Sequence, residues 1–270
     1  MSDDNRGAVA VVVGGSTGIG RGIADAWASH GIRTHVFSRS RPTGPGSDLL
    51  TWHGLDFRDP QQARSALTDR VPQRVDLVCF SAVYYTSRRE PFVEVSETDW
   101  QDQFTINVHA LAWTLKATLP ALRAAAPGMF LNISSEVVYN AGPHRAGYAA
   151  TKAAADSLIR SVAQETDPAE VSFVQALPAG MVDTPGIRAR RRSGFDYAGY
   201  MAPSDFGPLA LELATTRGGP YAGQALVVHE DATWSSVGDS VPISQSRAAQ
   251  SHAAQSRAAE GSAGGAVAVR

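Results

Sequence analysis

Apolar residues in this chain come in short, largely unbroken runs rather than in alternation. The runs cover residues 8–13, 34–37, 75–80, 129–133, 171–176 and 225–229. Such runs mark strands covered on both faces, which is the condition of a parallel sheet sandwiched between helices. Between them lie stretches with helical periodicity, at residues 21–30, 61–69, 97–125, 148–165 and 203–215. Strand and helix therefore alternate along the chain. The expected fold is α/β, a single-domain, Rossmann-like, doubly wound parallel sheet that binds ligands beyond the carboxyl ends of its strands.

Two segments break the alternation. Residues 185–202, PGIRARRRSGFDYAGYMA, are basic and aromatic without clear periodicity. From residue 239 the chain turns to QSRAA-type repeats and a Gly/Ala/Ser stretch with almost no large apolar side chains. Such a segment cannot bury enough surface to offset chain entropy. The expected organisation is a nucleotide-binding domain over residues 1–238 and a disordered tail over 239–270.

Composition narrows the function classes. A length of 270 residues, 43% hydrophobic and 19% charged, is ordinary for a globular protein. A formal charge of −2 gives no reason to propose nucleic acid or a membrane surface as partner. No apolar stretch is long enough to span a bilayer, and MSDDNRGAVAVVV lacks the features of a signal peptide, so a cytoplasmic location is expected. The single cysteine, Cys79, excludes an internal disulfide and lies in the apolar run VDLVCF as a buried thiol. The seven histidines show no ligand spacing, and no metal site is expected.

The chemistry concentrates in two places. In AVAVVVGGSTGIGRGIADAWASHG, an apolar strand leads through Gly14, Gly18 and Gly20 into a helix. Glycines permit a tight turn and let backbone approach a pyrophosphate, and the helix start offers unpaired N–H groups and a positive dipole end. Further on, NISSEVVYNAGPHRAGYAATK holds Ser135 at the end of a strand and Tyr148 and Lys152 four apart on a helix. An i, i+4 pair shares one helix face, and a cation beside a phenol favours the phenolate, lowering its pKa from about 10. Ser135 can hydrogen-bond the same substrate oxygen, so the set suits a carbonyl/alcohol pair.

These motifs, with Asn107 in FTINVHA, resemble the main single-domain branch of the short-chain dehydrogenase/reductase family, in its order and spacing over about residues 8–235. The resemblance implies that Tyr148 is the general acid/base and that Lys152 binds the nicotinamide ribose and lowers the Tyr148 pKa. It further implies that Ser135 polarises the substrate carbonyl and that Asn107 holds a water linking Lys152 to solvent. Cofactor contacts are implied at Gly14, Ser16, Thr17, Gly18, Ile19 and Gly20 in the turn, and at Ser81 and Ala82 after the fourth strand of the family. Asn107, Tyr148, Lys152, Gly180, Val182 and Thr184 complete that set. Asp56 and Phe57 stand where the family contacts adenine.

Neutral Ser38 occupies the position whose carboxylate would bind the ribose of NAD, and Arg39 follows, so NADP(H) is favoured over NAD(H). The expected activity is hydride transfer between NADP(H) and a small-molecule ketone or secondary alcohol. A non-redox cofactor-binding sensor would not need Asn107, Ser135, Tyr148 and Lys152 intact. An epimerase or dehydratase has no feature here in its favour.

Departures from the family pattern are Phe80-Ser81-Ala82-Val83 for Asn-Asn-Ala-Gly, Ala179-Gly180 for Pro-Gly, Val13 for Thr, and Glu230-Asp231-Ala232 for Asp-Gly-Gly. Losing the glycine at Val83 puts the local backbone in question. Tyr84, Tyr85, Glu136, Val138, Tyr139, His144 and Met181 are implied to face the substrate pocket. Residues 185–202 are implied to form its lid, with Arg188, Arg190, Arg191 and Arg192 as a solvated face or an acidic-substrate contact and Phe195, Tyr197 and Tyr200 closing by packing. The family also implies a homotetramer or homodimer paired through the long helices, where Ala110, Ala112, Ala117, Ala150, Ala153, Ala154 and Ala155 lie.

Overall fold

The computed structural model describes residues 7–86 and 88–238, and the expectations for the tail lie outside the described residues. Eight strands form one sheet in the order β3-β2-β1-β4-β5-β6-β7-β8. They are β1 (Val9–Val13), β2 (Arg33–Ser38), β3 (Leu50–Gly54), β4 (Leu77–Phe80), β5 (Gly128–Ile133), β6 (Val171–Pro178), β7 (Ala225–Val228) and β8 (Trp234–Ser236). All neighbours are parallel except β7 and β8. The order reverses between β1 and β4, which is the switch point where such sheets open a crevice at the strand ends.

The unbroken apolar character of β1 has a direct cause. Ala8, Ala10 and Val12 pack on one face with α1 (Gly18–Ser29) and α8 (Gly207–Thr216), through Ile23, Trp27, Leu209 and Leu213. Val9, Val11 and Val13 pack on the other with α2 (Pro60–Arg70), α4 (Ala110–Ala125) and α6 (Ala146–Gln164). Each face of the strand thus has its own helical layer. Trp27 Nε1 donates to the Ala210 carbonyl at 2.9 Å and ties α1 to α8. At its other end α1 lies so close to the Pro203–Phe206 turn that a side chain at Gly22 would overlap the Pro203 carbonyl. Both contacts fix the direction in which α1 aims its N-terminus.

The structure differs from the sequence expectation in one long helix and two strands. Residues 97–125 are not one uniform helix: α3 (Glu97–Phe104) passes through a π-helical turn at Thr105–His109 into α4. Strands β3 and β8 also add to the six that the apolar runs predict. Both are half-solvated edge elements, and β3 pairs only with β2. Across that pair His35 Nδ1 lies 3.0 Å from His53 Nε2, the two rings stacked. Val83 takes an ordinary backbone angle, so its turn does not demand the glycine of the family pattern, whereas Ala232 sits in the left-handed region at φ 62°.

Of the small residues on the long helices, Ala110 and Ala155 are core, while Ala150 and Ala153 are exposed. No helix among the described residues is long and apolar enough to cross a membrane.

Candidate active site

A cleft of about 490 Å³ opens at the carboxyl ends of β1 to β6. Its floor begins at the glycine turn. Gly14 has φ 86°, and a Cβ there would come within 2.5 Å of the Ala82 amide nitrogen. Only glycine fits both the backbone angle and the approach to the loop after β4. Gly20 packs underneath, where a Cβ would lie 2.5 Å from the Gly14 carbonyl oxygen. Above them Ser16, Thr17, Gly18 and Ile19 line the cleft, and the first turn of α1 carries no acidic residue to oppose its positive end. A backbone-lined turn and an unopposed helix start fit a dinucleotide's phosphates.

Ser38 ends β2 at the cleft, its hydroxyl donating to the Ser40 carbonyl at 2.8 Å. Arg39 beside it is exposed in the cleft wall, whereas Arg41 stacks on Trp52, 5.5 Å from the ring centre. Asp56 also lines the cleft while one of its oxygens accepts the Arg58 amide at 3.0 Å. Phe57 reaches the wall but is 94% covered in the core, tilted against Trp113.

At the other end Ser135 and Lys152 are buried and Tyr148 is half-buried; all three line the cleft. Ser135 Oγ donates to Glu136 at 2.6 Å and also contacts the Tyr148 hydroxyl. Glu136 in turn accepts from Arg145 at 2.8 Å. Lys152 Nζ donates to the Ile133 carbonyl at 2.7 Å and lies 6.0 Å from the centre of the Tyr148 ring. The expectation that Lys152 lowers the Tyr148 pKa is not met by this arrangement. Burial raises it well above the phenol range, with the Tyr85 ring adding to the rise and the Ser135 hydrogen bond opposing it. Tyr85 tilts against Tyr148 with 4.9 Å between ring centres. Burial also lowers the Lys152 ammonium to about 8, with Glu136 resisting.

Asn107, Gly20 and Gly180 are the predicted site residues that do not line the cleft. Asn107 lies in the π-helical turn, and both ends of its side-chain amide are engaged. Its oxygen accepts the Tyr84 amide at 2.7 Å, while its nitrogen donates to the Tyr84 carbonyl and to Thr151. This clamps the loop that carries Ser81 to Tyr85. Val182 and Thr184 line the far side, and the Thr184 hydroxyl caps α7 (Pro185–Arg188) by accepting from Ile187.

Substrate-side expectations divide. Tyr84, Tyr85, Glu136, His144 and Met181 line the cleft; Val138 and Tyr139 do not. Tyr139, on the short helix α5 (Val137–Asn140), is 43% exposed, and its hydroxyl meets Arg160. Residues 184–200 form a strap whose ends are pinned where Val182 and Met201 pair. Arg188 is held by Asp183 and Arg191 by the Tyr200 hydroxyl, so of the four arginines only Arg190 turns into the cleft. Phe195, Tyr197 and Tyr200 pack edge-on against one another instead of closing the pocket. Sequence reasoning missed Arg89, Arg145 and Gln103 in the wall. Arg145 had a usable signal, since it precedes Tyr148 by three residues and so shares its side of the helix start.

Residues 8–193 match the family model described as short chain dehydrogenase. The chain is 26% identical over 245 residues to 2-keto-3-deoxy-L-fuconate dehydrogenase of Xanthomonas campestris pv. campestris, covering 84% of this chain and 79% of that one. Its fold is similar to that of ElxO with NADP bound, at a TM-score of 0.71 and 19% identity over 83% of this chain and 97% of that one. It is also similar to 3-ketoacyl-(acyl-carrier-protein) reductase from Brucella melitensis complexed with NADH, at a TM-score of 0.71 and 21% identity over 83% and 97%.

Proposed function

The chain belongs to the short-chain dehydrogenase family, and from that premise we propose that it is an NADP(H)-dependent oxidoreductase interconverting a ketone and a secondary alcohol. The carrying observation is that Tyr148, Ser135 and Lys152 share one cleft with the glycine turn. NADP as the partner is supported by the neutral Ser38 at the strand end and by Arg39 exposed beside it. The bound nicotinamide would supply the hydride in reduction, or accept it in oxidation.

The side chains account for the proton. Burial keeps Tyr148 as a neutral phenol, the form that can give a proton to a carbonyl oxygen as negative charge develops there. Lys152, on the same helix face but 6.0 Å from the ring centre, would bind the nicotinamide ribose, the other role that the family resemblance gives it. Ser135 turns its hydroxyl from Glu136 to the substrate oxygen, and the Arg145–Glu136 pair holds the carboxylate it leaves. Asn107 is a positioning residue through its hold on Tyr84.

The test is NADPH oxidation over a panel of ketones, keto acids and thioester-bound β-keto acyl groups, with Tyr148→Phe alongside. Loss of a positioned general acid should lower turnover by about 10² to 10⁴, with NADPH binding kept within a few-fold. A Tyr148→Phe variant as active as the natural chain would remove the proton-transfer assignment.

A further inference from the structure

The cleft wall beyond Tyr148 carries guanidinium groups that proton transfer does not use. Arg89 comes from the loop after β4, Arg145 from the turn before α6, and Arg190 from the strap; all three line the cleft. Acidic side chains there are already engaged. Glu136 holds Arg145 and Ser135, and Glu90 holds Arg88 at 2.5 Å. No carboxylate among the described residues pairs with Arg89 or Arg190. Arg190 lies 4.3 Å over the Tyr85 ring, which itself leans on Tyr148. Burial depresses the Arg89 pKa, and Arg145, Arg190 and Arg191 are close enough to depress it further, against Glu136. Like charges gathered this way repel one another, and an added anion would relieve them. Guanidinium forks also match the oxygens of a carboxylate or phosphate.

We infer that the substrate of this cleft carries an oxyanion, a carboxylate or a phosphate, held by Arg89 and Arg190 while its carbonyl lies at Tyr148 and Ser135. The inference rests on the reductase reading of the same site. Arg190 lies 4.3 Å from the Tyr85 ring centre, which is 4.9 Å from that of Tyr148, so one small molecule can reach from one group to the other. Arg145 serves the anion site as a neighbour, since its guanidinium already neutralises Glu136.

Matched ketones test it with the full chain and NADPH: 4-oxopentanoate and acetoacetate against their methyl esters, and hydroxyacetone phosphate as the phosphate arm. The expected result is a kcat/KM at least about tenfold higher for an anionic ketone than for its neutral partner, the size of one charge-assisted hydrogen bond. The preference should shrink as salt rises. Arg89→Gln and Arg190→Gln should each narrow the acid-to-ester ratio by about tenfold, with the loss in substrate KM, and Arg190→Lys should recover part of it. Melting curves of each variant check that the fold is kept. Equal kcat/KM for acid and ester would overturn the inference. So would variants whose loss falls on NADPH affinity, because the arginines would then serve the cofactor.

Calorimetric titration of the NADP⁺-loaded protein with 4-oxopentanoate and its ester separates the two readings. Binding of the acid alone, without turnover of any ketone, overturns the reductase and keeps the anion site. Turnover of acid and ester alike keeps the reductase and overturns the anion site. Absence of both binding and turnover overturns both.

Discussion

Gly22→Ala should destabilise the protein, although helix propensity alone predicts the opposite. Gly22 lies inside α1, where alanine in place of glycine normally gains about 0.8–1 kcal/mol. Here the added Cβ would overlap the Pro203 carbonyl oxygen, sit 2.6 Å from the Pro203 carbonyl carbon and 3.2 Å from the Ser204 amide nitrogen. All three are backbone atoms and cannot rotate aside. Relief requires α1 and the Pro203–Phe206 turn to part, and overpacking of this kind costs about 1–3 kcal/mol. The upper part of that range exceeds the propensity gain, leaving a net loss of about 1–2 kcal/mol. For a domain of this size that is a fall in melting temperature of roughly 2–8 °C. Urea unfolding followed by circular dichroism measures it, with Gly186→Ala as control because nothing lies near a Cβ there. Since α1 also aims its N-terminus at the cleft, NADPH should bind more weakly in the variant. An unchanged or raised melting temperature would refute the predicted overlap and separate α1 from the turn.

Three other outcomes are expected. Ser38→Asp should move preference towards NADH, and Arg39→Ala should weaken NADPH by about tenfold or more; steady-state kinetics with both cofactors decides, and a natural preference for NADH would defeat the premise. His35 is pushed down to about 4, by burial first and then by His53 and Arg33, so the unfolded chain binds the extra proton between about pH 6.5 and pH 4. Stability should therefore fall as pH drops through that window, by at most about 3 kcal/mol from this group, and His35→Gln should flatten the fall in urea titrations. Ala232→Gly should stabilise by about 1 kcal/mol, because Ala232 holds φ 62° in the turn between β7 and β8; a lower melting temperature would count against strain there.

Much of the scaffold can be read from the chain because its demands are local. A strand such as Val9–Val13 buries both faces, so every residue is apolar and the run is plain. Leu50–Gly54 is half-solvated at the edge, and its LTWHG carries no such signal. The glycine turn and the Ser135, Tyr148 and Lys152 set are legible because their chemistry needs particular residue types at set intervals. The upward shift at Tyr148 is not legible, since it comes from burial and from Tyr85, which the chain brings in from another loop. The meeting of Arg89, Arg145 and Arg190 is hidden for the same reason. Three separate loops deliver them, and single arginines there read as ordinary surface residues.

The π-helical turn at Thr105–His109 makes one part of this protein sensitive to chain length rather than to residue type. A π turn holds one residue more than an α turn, and each added residue rotates the rest of the helix by about 100°. That offset lets Asn107 reach back to Tyr84 and Thr151 while Leu111, Thr114 and Leu115 of α4 still meet the sheet. Substitutions at Val108 leave the count intact. Deleting it would force a choice, with either the clamp on the Tyr84 loop or the buried stripe of α4 turning away. The spacing between α3 and α4 thus matters as a count: gaining or losing one residue there would break a contact that a change of side chain leaves in place.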